Sequence, residues 1–172
     1  GFLRMGTVGL VSQALGKGDY REIVLITLRN LYLALIFGFI IICSKTLILF
    51  AIENFFSPSN ETLLLIEKYI SIRIFSAPAE LSMYVLTGLF IGLQKTKISS
   101  GIALFFSLIN IFLSIYFVKY LDYEISGVAL GTLVSSYLTI VIFSIYSYFY
   151  ARKSLNVIPR LQKILNRKKM FN

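Results

Sequence analysis

The chain has 172 residues, of which 57% are apolar, and a formal net charge of +9; its mean hydropathy is +0.80. Soluble domains of this size rarely carry so much apolar surface, so the composition favours a membrane protein. The sequence has no histidine, which excludes histidine metal sites and Ser-His or Cys-His catalytic pairs, and its one cysteine, Cys43, excludes an internal disulfide. No Gly-rich phosphate-binding pattern is present, and we expect the protein not to be an enzyme.

The apolar residues form runs that predict transmembrane helices. A helix needs about 20 apolar residues to cross a bilayer, and four runs reach that length, while a fifth at the start of the chain is too short to cross alone. The predicted helices cover residues 2–15, 24–52, 63–93, 98–118 and 125–150. Lipid forces the backbone to satisfy its own hydrogen bonds, and the runs lack the alternation of a barrel. We therefore predict an all-α fold, a polytopic transmembrane helix bundle.

The charges between these runs predict the orientation of the helices. Connectors 16–23 and 94–97 carry basic residues, whereas connector 53–62 carries only acidic ones and connector 119–124 sets two acids against one lysine. The positive-inside rule places the basic connectors and the basic tail 153–172 in the cytoplasm, and the other two connectors outside. Successive connectors are thus assigned to opposite sides of the membrane at every predicted crossing. Because the charges lie at the helix ends, the net charge does not indicate a nucleic-acid partner.

Residues 69–97, YISIRIFSAPAELSMYVLTGLFIGLQKTK, hold an arginine and a glutamate inside an apolar run. A charged residue at the centre of a membrane helix costs about 2.5–3.5 kcal/mol on insertion scales, so Arg73 and Glu80 indicate a functional site. They are seven positions apart, which places them on about one face of a helix, where they can pair. Pro78 removes a backbone hydrogen bond and is predicted to bend this helix.

Glu80 is the strongest candidate for chemistry. A carboxylate among apolar side chains loses hydration, which favours its protonated form and allows it to hold either a proton or a cation. A structural ion pair with Arg73 is the alternative. Four further polar residues lie inside apolar runs and are candidates either for lining a cavity or for hydrogen bonds between helices: Thr7, Gln13, Asn110 and Ser114.

Four segments resemble, in order, the DinF branch of the multidrug and toxic compound extrusion (MATE) transporters. The opening FLRMGTVGLVSQALGKGDY is similar to the second half of helix two of that family, and residues 69–97 are similar to helix four and the turn after it. SLINIFLS, residues 107–114, and GVALGTLVSSY, residues 127–137, resemble helix five and the start of helix six. The family pattern has an aspartate, a suspected ion or proton site, where this chain has Ser114.

The resemblance implies a partial chain, with residues 1–152 as part of the N-terminal lobe of a twelve-helix transporter and residues 153–172 as the basic cytoplasmic linker between its two lobes. It implies export of organic or drug-like cations across the inner cell membrane, in antiport with protons or sodium ions and without a bound cofactor. The partners would be membrane lipids, small organic cations and the second lobe of the same polypeptide, with no nucleic acid. Two alternatives stay open: a non-transporting membrane fragment of a decayed or truncated gene, and a lipid-linked oligosaccharide flippase of the same superfamily.

Overall fold

The computed structural model describes residues 1–154, and every regular element in this range is helical, so the all-α prediction is confirmed. A one-turn 3-10 helix, Ile74–Ser76, separates the fourth and fifth α-helices. The α-helices are α1 (Phe2–Gly16), α2 (Tyr20–Cys43), α3 (Lys45–Phe56), α4 (Asn60–Arg73), α5 (Ala77–Gly92), α6 (Thr96–Lys119) and α7 (Glu124–Ser154). From residue 155 onward the predicted linker lies outside the described residues.

Within the described range, four helical segments are long and apolar enough to cross a bilayer: Tyr20–Cys43, Asn60–Gly92, Thr96–Lys119 and Glu124–Lys153. Their outer faces are apolar and exposed; Phe39 of α2 is 66% exposed and Phe112 of α6 is 67% exposed. Apolar surface on this scale is stable in contact with lipid but not with water. The chain is therefore a multi-pass membrane protein, as the apolar runs predict.

The structure divides the predicted helix 24–52 into two. Ser44 separates α2 from α3, and its hydroxyl donates to the carbonyl of Ile40 at 2.8 Å. A serine hydroxyl that bonds back to the preceding turn competes with the backbone and bends helices. None of the residues of α3 is buried, so packing does not hold it in line with α2. Hydropathy could not reveal this break because both sides of it are apolar.

Helix α5 lies at the centre of the bundle and packs against α1, α2, α6 and α7. Two of its glycines allow α1 to approach closely. A Cβ atom added to Gly88 would lie 2.9 Å from Cβ of Thr7, and one added to Gly92 would lie 2.8 Å from Cβ of Val11. Small residues four positions apart are the usual means by which membrane helices pack without a hydrophobic driving force. The contact between α1 and α5 therefore positions the two helices relative to each other.

The sequence predicts a bend at Pro78, and the structure has the 3-10 turn between α4 and α5 directly before this residue. Because Pro78 has no N–H, the carbonyl of Ile74 accepts instead from the N–H of Ala77, one residue earlier. Helix α7 supports the same turn, since the hydroxyl of Tyr137 donates to the carbonyl of Phe75 at 3.0 Å. The 3-10 turn thus lies between Arg73 and Glu80.

Candidate functional site

A cleft with a volume of about 400 Å³ opens between α1, α4, α5, α6 and α7. Three charged side chains line it, namely Arg4 of α1, Arg73 of α4 and Glu80 of α5. The remaining polar and aromatic lining residues are Tyr69, Tyr84, Thr87, Phe106, Ser107, Asn110 and Thr132. Glu80 is the only carboxylate among the described residues that line the cleft, so any cation bound there meets this group.

Arg73 and Glu80 form the predicted ion pair. Nη2 of Arg73 lies 2.7 Å from Oε1 of Glu80, and the two side chains are 30% and 24% exposed. Ser76, in the 3-10 turn between them, is fully buried and contacts both partners. Its hydroxyl accepts a hydrogen bond from Nη1 of Arg73 and lies 3.2 Å from Oε1 of Glu80. The 3-10 turn therefore contacts both partners of the pair, while the hydroxyl of Ser76 also donates to the carbonyl of Arg73 at 2.7 Å.

Helix α7 supplies the last contact to the Glu80 carboxylate. The hydroxyl of Ser136, which is fully buried, lies 3.5 Å from Oε1. Arg73, Ser76 and Ser136 thus all contact the same oxygen, and no described side chain donates to Oε2. The carboxylate is therefore held through one of its two oxygens.

Asn110 joins α6 to α7 at the wall of the cleft. Its Nδ2 donates to the hydroxyl of Thr132 at 2.9 Å and lies 3.4 Å from the hydroxyl of Ser135. One turn further along α6, Oγ of Ser114 is buried and has no hydrogen-bond partner among the described residues. Ser114 packs against Gly131, where an added Cβ would lie 2.8 Å from Cα of Ser114. Ser114 therefore serves the close approach of two helices and does not line the cleft.

Thr7 and Gln13, for which cavity lining was one of two expected roles, do not line this cleft. Thr7 is fully buried; its hydroxyl donates to the carbonyl of Leu3 at 2.7 Å and accepts from Nδ2 of Asn30 at 2.9 Å. Gln13 lies on the exposed side of α1. For Thr7 the alternative interpretation, hydrogen bonding between helices, is correct. Of the six candidates, Arg73, Glu80 and Asn110 come together in one cleft.

Sequence reasoning missed Arg4 and Tyr84 as lining residues. Arg4 is a charged residue inside the apolar run of α1. The cost of a charge in a membrane helix, which indicated Arg73, therefore indicates Arg4 as well. Tyr84 lies one turn after Glu80 on α5 and thus shares its face. None of the described acidic side chains pairs with Arg4, so the cleft carries two positive charges and one negative.

The spans and the charged cleft define a multi-pass α-helical membrane protein with a polar site inside its bundle. The MatE family model matches residues 2–116, and the chain therefore belongs to the MatE family. It is 31% identical over 141 residues to the DNA damage-inducible protein F of Escherichia coli (strain K12), an alignment that covers 82% of this chain and 31% of that protein. The resemblance stated from the sequence is thereby confirmed.

Solved structures of related transporters share the fold. A MOP superfamily transporter from Pyrococcus furiosus Vc1 (DSM3638) matches with a TM-score of 0.80 at 20% identity, over 95% of this chain and 37% of that one. The outward-facing conformation of a multidrug resistance MATE family transporter of the MOP superfamily matches with a TM-score of 0.79 at 21% identity, over 95% and 37%. The chain thus spans about a third of the length of the relatives it matches.

Proposed function

We propose that the full-length protein is a secondary active transporter that exports organic or drug-like cations in antiport with protons or sodium ions. Membership of the MatE family supports transport. The observation that carries the substrate class is the position of Glu80, whose carboxylate lines a cleft inside a membrane-spanning bundle. An ionisable residue at such a position is costly and is found where ions or substrates pass.

Two kinds of group in the cleft favour an organic cation. The carboxylate of Glu80 supplies the opposite charge, and the aromatic rings of Tyr69, Tyr84 and Phe106 line the same space. Aromatic faces attract cations, and the attraction grows when both are removed from water. An apolar cation with delocalised charge therefore gains both contacts, whereas a small hydrated cation loses its hydration without filling the cleft.

Antiport follows from competition at one carboxylate. In this proposal the carboxylate of Glu80 binds either a proton or the cation, because protonation removes the negative charge that attracts the cation. The neighbouring oxygens of Asn110 and Thr132 extend the set of groups available to a sodium ion. Since the aspartate of the family pattern is replaced by Ser114, which does not line the cleft, Glu80 takes the coupling role in this proposal.

For orientation, we place the protein in the inner cell membrane with the tail after residue 154 in the cytoplasm. The basic connectors and the basic tail support this placement through the positive-inside rule. The described helices would then form one side of a central cavity, and the second lobe of the polypeptide would form the other side. Export would proceed as the two lobes rock around the bound cation.

A resistance assay tests the proposal. The full-length protein, expressed in a drug-sensitive bacterial strain, should raise the ethidium concentration that stops growth, and Glu80→Gln should abolish that increase at unchanged membrane expression. Glu22→Gln is the matched control, because Glu22 pairs with Arg29 outside the cleft. Full resistance with Glu80→Gln would refute the coupling role, and no resistance with the wild type would refute cation export.

A further inference from the structure

The carboxylate that the proposed function assigns to the substrate is already occupied by a cation of the protein itself. We infer that Arg73 is a built-in competitor for Glu80: an organic cation binds in the cleft by displacing the Arg73 guanidinium from the carboxylate. Arg73 thereby sets both the affinity and the selectivity of the site. This inference rests on the proposed function, since it takes organic cations as the ligands of the cleft.

The geometry requires competition. Arg73 contacts Oε1 of Glu80 directly at 2.7 Å, and both side chains line the same cleft. A second cation at the carboxylate would lie within a few ångströms of the guanidinium, and like charges at that separation repel strongly in a protein interior. Arg4, which lines the cleft without an acidic partner among the described residues, adds to this positive field. The substrate and the guanidinium therefore exclude each other from Glu80.

Both partners keep polar neighbours when the pair opens. The hydroxyl of Ser76 contacts Nη1 of Arg73 as well as Oε1 of Glu80. The hydroxyls of Ser76 and Ser136 remain near Oε1 of Glu80 after the guanidinium leaves. Both side chains are also partly exposed to the cleft, at 30% and 24%, which leaves room for the guanidinium to move.

Selectivity follows from what the ligand must replace. The guanidinium gives the carboxylate a charge-assisted hydrogen bond, which a quaternary or phosphonium cation cannot supply. Such a ligand displaces Arg73 only if it gains contacts that arginine does not make, and the rings of Tyr69, Tyr84 and Phe106 provide them. Among organic cations, the competitor thus favours bulky ones that reach these rings over smaller ones that do not.

A second arginine–glutamate pair in the chain provides a matched control. Arg29 and Glu22 lie on α2, also seven positions apart, with Nη1 of Arg29 3.4 Å from Oε1 of Glu22. Neither residue lines the cleft. Neutralising Arg29 therefore removes the same type of charge from the same type of pair without freeing a carboxylate for the substrate.

The test is equilibrium binding of radiolabelled tetraphenylphosphonium to the purified full-length protein. Arg73→Gln should lower the Kd about tenfold, Glu80→Gln should raise it about tenfold, and Arg29→Gln should leave it unchanged. The double variant Arg73→Gln/Glu80→Gln should differ from Glu80→Gln by much less than tenfold, because without the carboxylate Arg73 only adds to the positive field of the cleft and no longer competes for Glu80. Arg73→Lys keeps the competing charge and should stay near the wild type.

Two further variants keep the outcome decisive. Arg4→Gln also removes a positive charge from the cleft, but its effect should persist in the Glu80→Gln background, unlike that of Arg73→Gln. If Arg73→Gln does not fold, Ser76→Ala weakens the same pair and should shift the Kd in the same direction by a smaller factor. If the wild type binds the cation and the Kd of Arg73→Gln is unchanged or higher, the inference is wrong. The proposed function is unaffected by that result. Absence of binding in both the wild type and Arg73→Gln overturns both.

Discussion

Replacing Gly38 by alanine is expected to separate α2 from the helix break at the start of α5. Gly38 is buried against Pro78, and an added Cβ would lie 2.5 Å from Cα, 2.7 Å from N and 2.8 Å from Cγ of Pro78. Ordinary carbon contacts lie at about 3.5–4.0 Å. Two of the three atoms are backbone and the third belongs to a closed ring, so Pro78 cannot turn aside and α2 must retreat by about 1 Å.

Overpacking of this kind costs about 1–3 kcal/mol of unfolding free energy. The matched control is Gly101→Ala in α6, where an added Cβ would meet nothing within 4 Å. There the methyl group only improves helix propensity, by about 0.5–1 kcal/mol. Both glycines lie in helix interiors and gain the same propensity term, so the two alanine variants should differ by the overpacking cost, about 1–3 kcal/mol, with Gly38→Ala the less stable.

The assay is denaturant unfolding of the purified full-length protein in detergent micelles, followed by far-ultraviolet circular dichroism. Equal midpoints for the two variants would refute the reasoning, because the space around the two glycines would then be the same. A lower midpoint for Gly101→Ala alone would place the tight contact on α6 and contradict the packing of α2 on Pro78.

Gly131→Val should force α6 from α7, since its Cβ would lie 2.8 Å from Cα of Ser114, and it should lower the yield of folded protein in fluorescence-detected size exclusion; a wild-type yield would contradict this contact. Asn110→Leu removes the amide that links the same helices and should cost about 0.6 kcal/mol in the unfolding assay, a typical value for such bonds in membranes; a more stable variant would contradict it. In a cysteine-free background, a cysteine at Ser59 should react with an impermeant maleimide outside intact cells and one at Lys95 should not, and the reverse pattern would overturn the orientation.

The sequence was sufficient to predict the spans because lipid imposes a long apolar run on every crossing helix. The interruption of the α-helix in the second span was predictable too, since Pro78 cannot donate to the preceding turn. The break at Ser44 was not, because it depends on a serine hydroxyl bonding back to Ile40 within a continuously apolar run. The pattern of apolar residues in the sequence does not indicate such a hydrogen bond.

For the site, the cost of charge in lipid identified Arg73 and Glu80, and their separation of seven positions predicted the pairing. For Thr7 and Ser114 the sequence left two roles open, lining a cavity or bonding between helices. Both are small polar residues that pack against a glycine of a neighbouring helix, Gly88 and Gly131 respectively. A sequence does not distinguish a hydroxyl that fills a helix contact from one that faces a cleft, whereas the choice between them is fixed by tertiary packing.

The most direct test of the account is transport by the full-length protein in proteoliposomes loaded with tetraphenylphosphonium, with a proton or sodium gradient imposed from outside. We predict that one of the two gradients drives release of the cation from wild-type vesicles, that Glu80→Gln abolishes this release, and that Glu22→Gln does not. Gradient-driven release that persists in Glu80→Gln, or no release from the wild type under either gradient, would contradict the claim that this cleft exchanges an organic cation for a coupling ion at Glu80.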